Sequence, residues 1–395
     1  MEVGCNSLLN SNSNKTLMNI CVISSSYPNE NGIGNTFVEQ LVNAMTRLEH
    51  QCVVISPLNT FGKDPVSNYK EHEVKCLDDG KTIEVYRPRI WNRNIPLIPI
   101  STNRYLAQRA IEKTIRKHKL EFDLFYCHFF ASGVLAWHYA HNHHIPLFVA
   151  TGESKIKPFS QKPCFGFSLS GFRHDTNGVV CVSSKNLEEC IGLGYAEREK
   201  CKVFPNGANL QLFKPLDKKT CRKQIGLKDD DFLLITVGEF SERKGQNRII
   251  KAVDSLSSPR MKTCFIGSGD SIADRDFVFY KGRVRHDDLP VYLNAADVFV
   301  LPTLREGCCN AIVEALACGL PVISSDKSFN YDILDESNSI MVDPENVNQI
   351  ASAIRVLSED EDKRNALAKG ALNSAMMLSI DQRASNILHF IKEKM

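Results

Sequence analysis

DVFVLPTLREGCCNAIVEALACGLPVISSD, residues 297–326, reads as strand, loop, helix, turn and strand. Val298, Phe299, Val300 and Leu301 form an unbroken apolar run, the pattern of a strand covered on both faces. Pro302 stops it, because proline brings no N–H to a ladder. A helix is expected from about Asn310 to Cys318, with Gly319 placed for a left-handed C-terminal cap and Pro321 just beyond. Pro321, Val322 and Ile323 start the next strand. The unit is βαβ, so its strand-to-helix loop lies at the carboxyl edge of a parallel sheet, where open α/β folds bind ligands.

Two carboxylates mark that loop. Glu306 stands at the helix mouth, and Glu314 lies eight positions on, roughly two turns up and about 80° around. Gly307, Cys308, Cys309, Asn310 and Ala311 between them are all small. Small side chains let a ligand reach the backbone N–H groups of a helix start, which favours an anion. Carboxylates accept from hydroxyls while the N–H groups donate to phosphate. The pair of features suits a nucleotide-sugar, and the bland alternative is two solvated acids.

Bulk properties narrow the class. A chain of 395 residues is long enough for two domains. Its 48 basic and 46 acidic residues leave no general pull towards nucleic acid. Fourteen cysteines show no zinc-like spacing, and Cys21, Cys52, Cys181 and Cys264 fall inside apolar runs, so buried thiols in a reducing cytosol are expected. No apolar run is long enough to span a bilayer and no secretory signal is evident, giving a cytoplasmic expectation. Residues 1–16 are rich in Asn and Ser and read as a disordered tail.

The run from Pro302 to Gly307, with Glu314 to Ile323, resembles the signature of the retaining glycosyltransferases of family 4 (glycosyl transferases group 1), which have the GT-B fold. With weaker flanking matches the resemblance runs from Met18 to Ile391. It implies an α/β chain of two doubly wound Rossmann-like domains facing across a cleft. The expected divisions are an acceptor-binding domain over 17–206, a donor-binding domain over 207–378, and a helix over 379–395 that crosses back. It implies that Glu306 contacts sugar hydroxyls and Glu314 the ribose. Arg243 and Lys244, in a loop after the strand Phe232–Val237 and Gly238, take the place of a diphosphate-binding lysine. Two cations there would neutralise a leaving diphosphate with no cofactor and no metal. Gly267 belongs to a tight phosphate- or base-facing loop, and Arg283 to a segment that cups the base in such enzymes. Gly32 and Gly34 follow the first strand, in a loop that closes over donor or acceptor. The donor is expected to be UDP- or GDP-linked, the acceptor a saccharide or a lipid diphosphate.

Two departures stand out. The family usually carries arginine after the glycine at 238, and here Glu239 follows. It often carries a His-Gly pair where this chain has Gly152-Glu153, leaving His128 or Glu153 to stand in at the sugar.

Other charged groups have weaker claims. Residues 81–120 hold ten Lys/Arg and two acids, beside Trp91 and an apolar run at 95–100. That is a solvated basic helix, or a surface for an anionic membrane at the inner face of the cytoplasmic membrane. His138, His141, His143 and His144 lack a metal motif and read as a polar helix end. Asp229, Asp230 and Asp231 read as a solvated turn. The leading reading is a retaining hexosyltransferase of surface-polysaccharide synthesis. Its rivals are a nucleotide-sugar epimerase or hydrolase, using Glu153 or His128, and a non-catalytic nucleotide-sugar-binding subunit.

Overall fold

The computed structural model describes residues 17–29, 34–60, 66–91, 100–156 and 167–395. Gly32, the 1–16 tail and the apolar run at 95–99 lie outside them.

The first half carries strands β1 (Asn19–Ser24), β2 (Gln51–Ile55), β3 (Leu58–Asn59), β4 (His72–Cys76), β5 (Thr82–Tyr86), β6 (Arg89–Ile90), β7 (Leu124–His128), β8 (Leu147–Thr151), β9 (Thr176–Cys181) and β10 (Cys201–Val203). Its helices are α1 (Thr36–Arg47), α2 (Ile100–His118), α3 (Phe130–His143), α4 (Leu169–Asp175) and α5 (Ser184–Gly192). Eight strands form one sheet in the order β10-β9-β8-β7-β1-β2-β5-β4, parallel except where β4 meets β5, and β3 pairs with β6 alone.

The second half adds β11 (Phe232–Val237), β12 (Met261–Ile266), β13 (Val278–Gly282), β14 (Val298–Leu301), β15 (Val322–Ser325) and β16 (Ser339–Val342). They form a parallel sheet in the order β13-β12-β11-β14-β15-β16. Around it lie α6 (Lys218–Ile225), α7 (Gln246–Leu256), α8 (Leu289–Ala295), α9 (Asn310–Ala317), α10 (Val347–Glu359) and α11 (Glu361–Met377); the chain ends in α12 (Ile380–Lys394).

Strand alternation decides which side chains go to which layer. Leu233 and Ile235 of β11 pack with Ile312 and Leu316 of α9 on one face, while Leu234 points to Ile249, Val253 and Ile350 on the other. Because both faces are covered, β7, β8 and β14 are buried along their whole length.

α12 belongs spatially to the first half. Ile380, Ala384, Ile387, Leu388 and Ile391 recur at helical spacing and share a core with Ile20 and Val22 of β1 and with Val38 and Leu41 of α1. The chain passes between the halves twice at one point. There Ala208 bridges Ser379, with Ala208 N–H donating to Leu378 at 2.8 Å and Ile380 N–H to Ala208 at 2.9 Å.

Strand order sets where a ligand can enter. From β1 the chain steps to β2 on one side, and β7 later joins β1 on the other; β11 is flanked in the same way by β12 and β14. Loops leaving the carboxyl ends of such a pair diverge and open a crevice.

Several sequence expectations change here. The basic run over 81–120 is not one helix or one face. Arg87 is fully buried against Glu73 at 2.8 Å, Lys81 pairs with Glu49 at 2.7 Å, and α2 begins only at Ile100. Lys113, Arg116 and Lys117 on α2 are exposed. Acids do approach the histidine-rich helix end: Glu112 lies 3.7 Å from His138, and Asp175 lies 2.8 Å from His141. They do not assemble into a group of three metal ligands among the described residues. The backbone carbonyls of Asp229 and Asp231 accept from the buried Arg222, so that turn anchors α6. No helix among the described residues is long and apolar enough to cross a membrane.

Candidate active site

The loops after β11 and β14 meet on Glu306. Its carboxylate oxygen lies 2.5 Å from Arg243 Nη1, 2.8 Å from Lys244 Nζ and 2.9 Å from the Thr303 hydroxyl, which donates to it. Glu306 and Lys244 are each more than nine-tenths buried. Burial works against the Lys244 charge. The Cys309 sulfur and the Glu306 carboxylate outweigh it, so the ammonium sits above its ordinary value. One carboxylate thus holds two cations in a poorly hydrated place.

Glu239 resolves in the same cluster. Its carboxylate points back to Arg243 Nη2 at 3.5 Å and is two-thirds exposed, so it turns outward rather than into the crevice. Arg243 also donates to the Arg305 carbonyl at 3.0 Å.

Cys309 stands at the N-cap of α9 with no side-chain cap, its Sγ 3.9 Å from Lys244 Nζ. Asn310 and Ala311 form the first turn. Glu314 is as buried as Glu306 and accepts from His286 Nε2 at 3.1 Å. That hydrogen bond raises the His286 pKa against the opposing effect of burial. The Gly267 loop packs directly on the end of β11: a side chain at 267 would place its Cβ 1.9 Å from the Gly238 carbonyl oxygen. Arg283 donates from Nε to the Ser268 hydroxyl at 2.9 Å on the outer side of that loop.

The first half closes the other wall. A Cβ at Gly307 would lie 2.3 Å from the Gly152 carbonyl oxygen, so glycine is required for the two loops to touch. Lys185 of α5 donates to the carbonyls of Ser154 at 2.6 Å and Glu306 at 3.3 Å. Asp332 accepts from both the Ser184 N–H and its hydroxyl, so it caps α5 from the second half. Asn206 donates to the Cys308 carbonyl at 3.0 Å.

The two stand-ins for the absent His-Gly pair have unlike surroundings. The Glu153 carboxylate accepts from the Thr151 hydroxyl at 2.6 Å, from its neighbour Gly152 N–H at 3.0 Å and from Phe130 N–H at 3.3 Å. It is spent on holding the β8 edge and the start of α3. His128 ends β7, buried, with its ring 5.2 Å from that of Phe37 and 4.8 Å from that of Phe129. Burial, with the Arg383 charge nearby, lowers its pKa to about 3, so the imidazole is neutral at physiological pH. Among the described residues its Nδ1 has no hydrogen-bond partner.

The structure therefore brings Arg243, Lys244, Glu306, Gly307, Cys308, Cys309, Asn310 and Glu314 to one crevice, with Gly238 and Gly267 lining its second-half edge. Gly34 precedes α1 in a left-handed conformation, packed on Pro28, and His128 lies on the first-half side. Sequence reading missed Thr303, His286, Lys185 and Asn206. Thr303 lies inside the quoted motif, three positions before the acid it serves. His286 is 28 positions from Glu314 and carries no local signal.

Comparison with known proteins agrees with this geometry. Residues 217–374 match the model of glycosyl transferases group 1, and residues 34–212 match that of glycosyltransferase family 4. A putative teichuronic acid biosynthesis glycosyltransferase, TuaC of Bacillus subtilis, is 30% identical over 356 residues, covering 85% of this chain and 88% of that protein. The UDP-Gal:alpha-D-GlcNAc-diphosphoundecaprenol alpha-1,3-galactosyltransferase of Escherichia coli is 28% identical over 214 residues, half of this chain and 55% of that protein. Among solved structures, sucrose-phosphate synthase of Thermosynechococcus elongatus superposes with a TM-score of 0.74 at 20% identity, covering 95% of this chain and 98% of that one. Two sheets open at facing carboxyl edges, a crevice that gathers the quoted motif, and matches over both halves place this chain in the glycosyl transferases group 1, family 4, with the GT-B fold.

Proposed function

We propose that the protein moves a hexosyl unit from a UDP- or GDP-sugar to a saccharide or lipid-diphosphate acceptor, with retention and without a metal, in surface-polysaccharide assembly. The observation that carries this reading is the convergence of Arg243 and Lys244 on Glu306 beneath the Gly152–Gly307 contact. A donor diphosphate entering there exchanges places with the Glu306 carboxylate. The two cations pass to the phosphates, and Glu306 turns to the sugar hydroxyls. Glu314, with His286 beside it, lies further up α9 for the ribose.

The chemistry follows from what surrounds the anomeric carbon. With Glu153 engaged by three donors and His128 neutral and buried, neither of these two stand-ins is offered as nucleophile or acid among the described residues of the first half. The acceptor oxygen bonds to the anomeric carbon on the face the diphosphate leaves. The carbon–oxygen bond to phosphate breaks, and the acceptor proton passes to a departing phosphate oxygen. Arg243 and Lys244 stabilise the leaving charge. This arrangement also disfavours the epimerase or hydrolase reading, which needs an acid or base at the sugar.

The names of the Bacillus and Escherichia relatives, teichuronic acid synthesis and a diphosphoundecaprenol-linked acceptor, support an anionic or lipid-linked acceptor. The exposed Lys113, Arg116 and Lys117 of α2, with Leu106 exposed beside them, support a site of action at the inner membrane face.

A thermal-shift screen against UDP-, GDP-, ADP- and CMP-sugars tests the donor, since binding stabilises the folded chain by mass action. A UDP- or GDP-sugar is expected to raise Tm above the others. Product NMR with that donor then reads retention, and turnover in EDTA reads metal independence. An inverted product or a transfer abolished by EDTA would refute the corresponding part.

A further inference from the structure

Glu306 is gripped at both its ends, from different halves. Its carboxylate meets Arg243, Lys244 and Thr303, all on loops of the second half. Its backbone carbonyl instead accepts from Lys185 Nζ, in the first turn of α5 on the first half. An ammonium has three N–H donors. Around that of Lys185 stand three acceptors: the Ser154 carbonyl at 2.6 Å, the Glu189 carboxylate at 3.0 Å and the Glu306 carbonyl at 3.3 Å. The charge is thus balanced by Glu189 and every donor is engaged. Such a lysine acts on its neighbours rather than on a substrate.

The first-half partners are themselves fixed. Glu189 lies four positions along α5 and accepts from the Ile156 N–H at 3.3 Å. Asn186, fully buried, donates from Nδ2 to the Glu153 carbonyl at 2.9 Å. The loop after β8 is therefore stapled to the start of α5. The same turn faces the second half, where Asp332 accepts from the Ser184 N–H and hydroxyl and where Gly307 meets Gly152. Ser184, Lys185 and Asn186 are consecutive, and together they tie the loops after β8, β14 and β15.

We propose that Lys185 is a positioning residue for the transfer: by donating to the Glu306 carbonyl it fixes the main chain of that acid while the halves touch, and so couples the turn of its carboxylate towards the sugar to closure of the crevice. The carboxylate pivots on its own Cα, so an error in the main chain is carried to the oxygens. A misplacement of about 1 Å in a positioning group costs up to about 100-fold in rate. The diphosphate cations Arg243 and Lys244 sit on the second half and do not bond to Lys185, so nucleotide binding proceeds without it. The inference rests on the transferase reading for what Glu306 does once turned; the hold of Lys185 on the Glu306 loop does not.

Lys185→Met keeps the length of the side chain and removes its donors, and Lys185→Arg restores donors. Amide hydrogen exchange over residues 304–310 is expected to quicken by at least about threefold in Lys185→Met, from the loss of one hydrogen bond. Its kcat is expected to fall by at least about tenfold, while calorimetry with UDP or GDP, whichever the thermal-shift screen selects, gives a Kd within about twofold of wild type. Lys185→Arg is expected to recover kcat to within about threefold of wild type. Unchanged exchange or unchanged kcat in Lys185→Met would overturn the inference. So would a Kd that rises in step with the fall in kcat, since Lys185 would then be a donor ligand. Should Lys185→Met not fold, Lys185→Gln, neutral and shorter, is read in its place with the same outcomes. A wild type that turns over no donor counts against the transferase reading alone, and the exchange comparison still decides whether Lys185 holds the Glu306 loop.

Discussion

In the proposed cycle Glu306 serves opposite ends before and after a donor binds. Its carboxylate pairs with both Arg243 and Lys244, so that the buried Lys244 does not stand alone. Lys244→Ala and Glu306→Ala are each expected to lower kcat/KM by more than about tenfold, at least about 1.4 kcal/mol of transition-state stabilisation. Steady-state kinetics check this, and wild-type rates in both would contradict the site. Glu306→Ala differs from Lys244→Ala in one further way: it leaves two cations facing each other, so the ligand-free Tm falls more than in Lys244→Ala. Two histidines predict opposite pH slopes. His286, raised by its bond to Glu314, adds stability that is full below the unfolded value near 6.5 and fades as pH rises through its folded pKa. His128, lowered to about 3, adds stability present above about pH 6.5 and lost as pH falls towards 3. Denaturant melts of His128→Gln and His286→Gln against pH are expected to flatten the acid limb in the first and the neutral limb in the second. For His128 that shift corresponds to an acid limb of roughly 5 kcal/mol.

At the scale of elements, the crevice depends on loops that touch across it. Gly307 lies against Gly152 with no room for a methyl group, so Gly307→Ala moves the Glu306 loop or parts the halves. A displacement of the Glu306 loop by about 1 Å is expected to reduce kcat by up to about 100-fold. Kinetics together with small-angle scattering test it; an unchanged rate and radius would mean the contact is incidental. Element types were legible from the chain. β14, the Glu306 loop, α9 and the left-handed Gly319 follow the apolar run, the small residues and the turn signals in 297–326. Charge patterning was a poorer guide. Arg87 lies in the same basic run as the exposed Lys113, yet it is buried on Glu73, because burial depends on which strand meets which.

On the scale of the whole molecule, α12 joins the end of the chain to the first sheet. Phe390 packs on Phe148 and Phe204, and Ile387 is fully buried. Ile387→Ala and Phe390→Ala are expected to destabilise by about 2–5 kcal/mol in urea melts through lost burial and a residual cavity. A loss below about 1 kcal/mol would show that α12 docks without contributing to the core. The chain by itself determined most strands and helices, two mainly parallel sheets and the acids and cations that gather at the crevice. Those follow from local periodicity, turn chemistry and a motif confined to about thirty residues. Tertiary structure alone decided that Glu306 pairs with both Arg243 and Lys244, that Glu153 accepts from the Phe130 N–H at the start of α3, and that His286 supports Glu314. Each of those pairings joins residues through the order of strands in a sheet. Sequence separation carries no record of it.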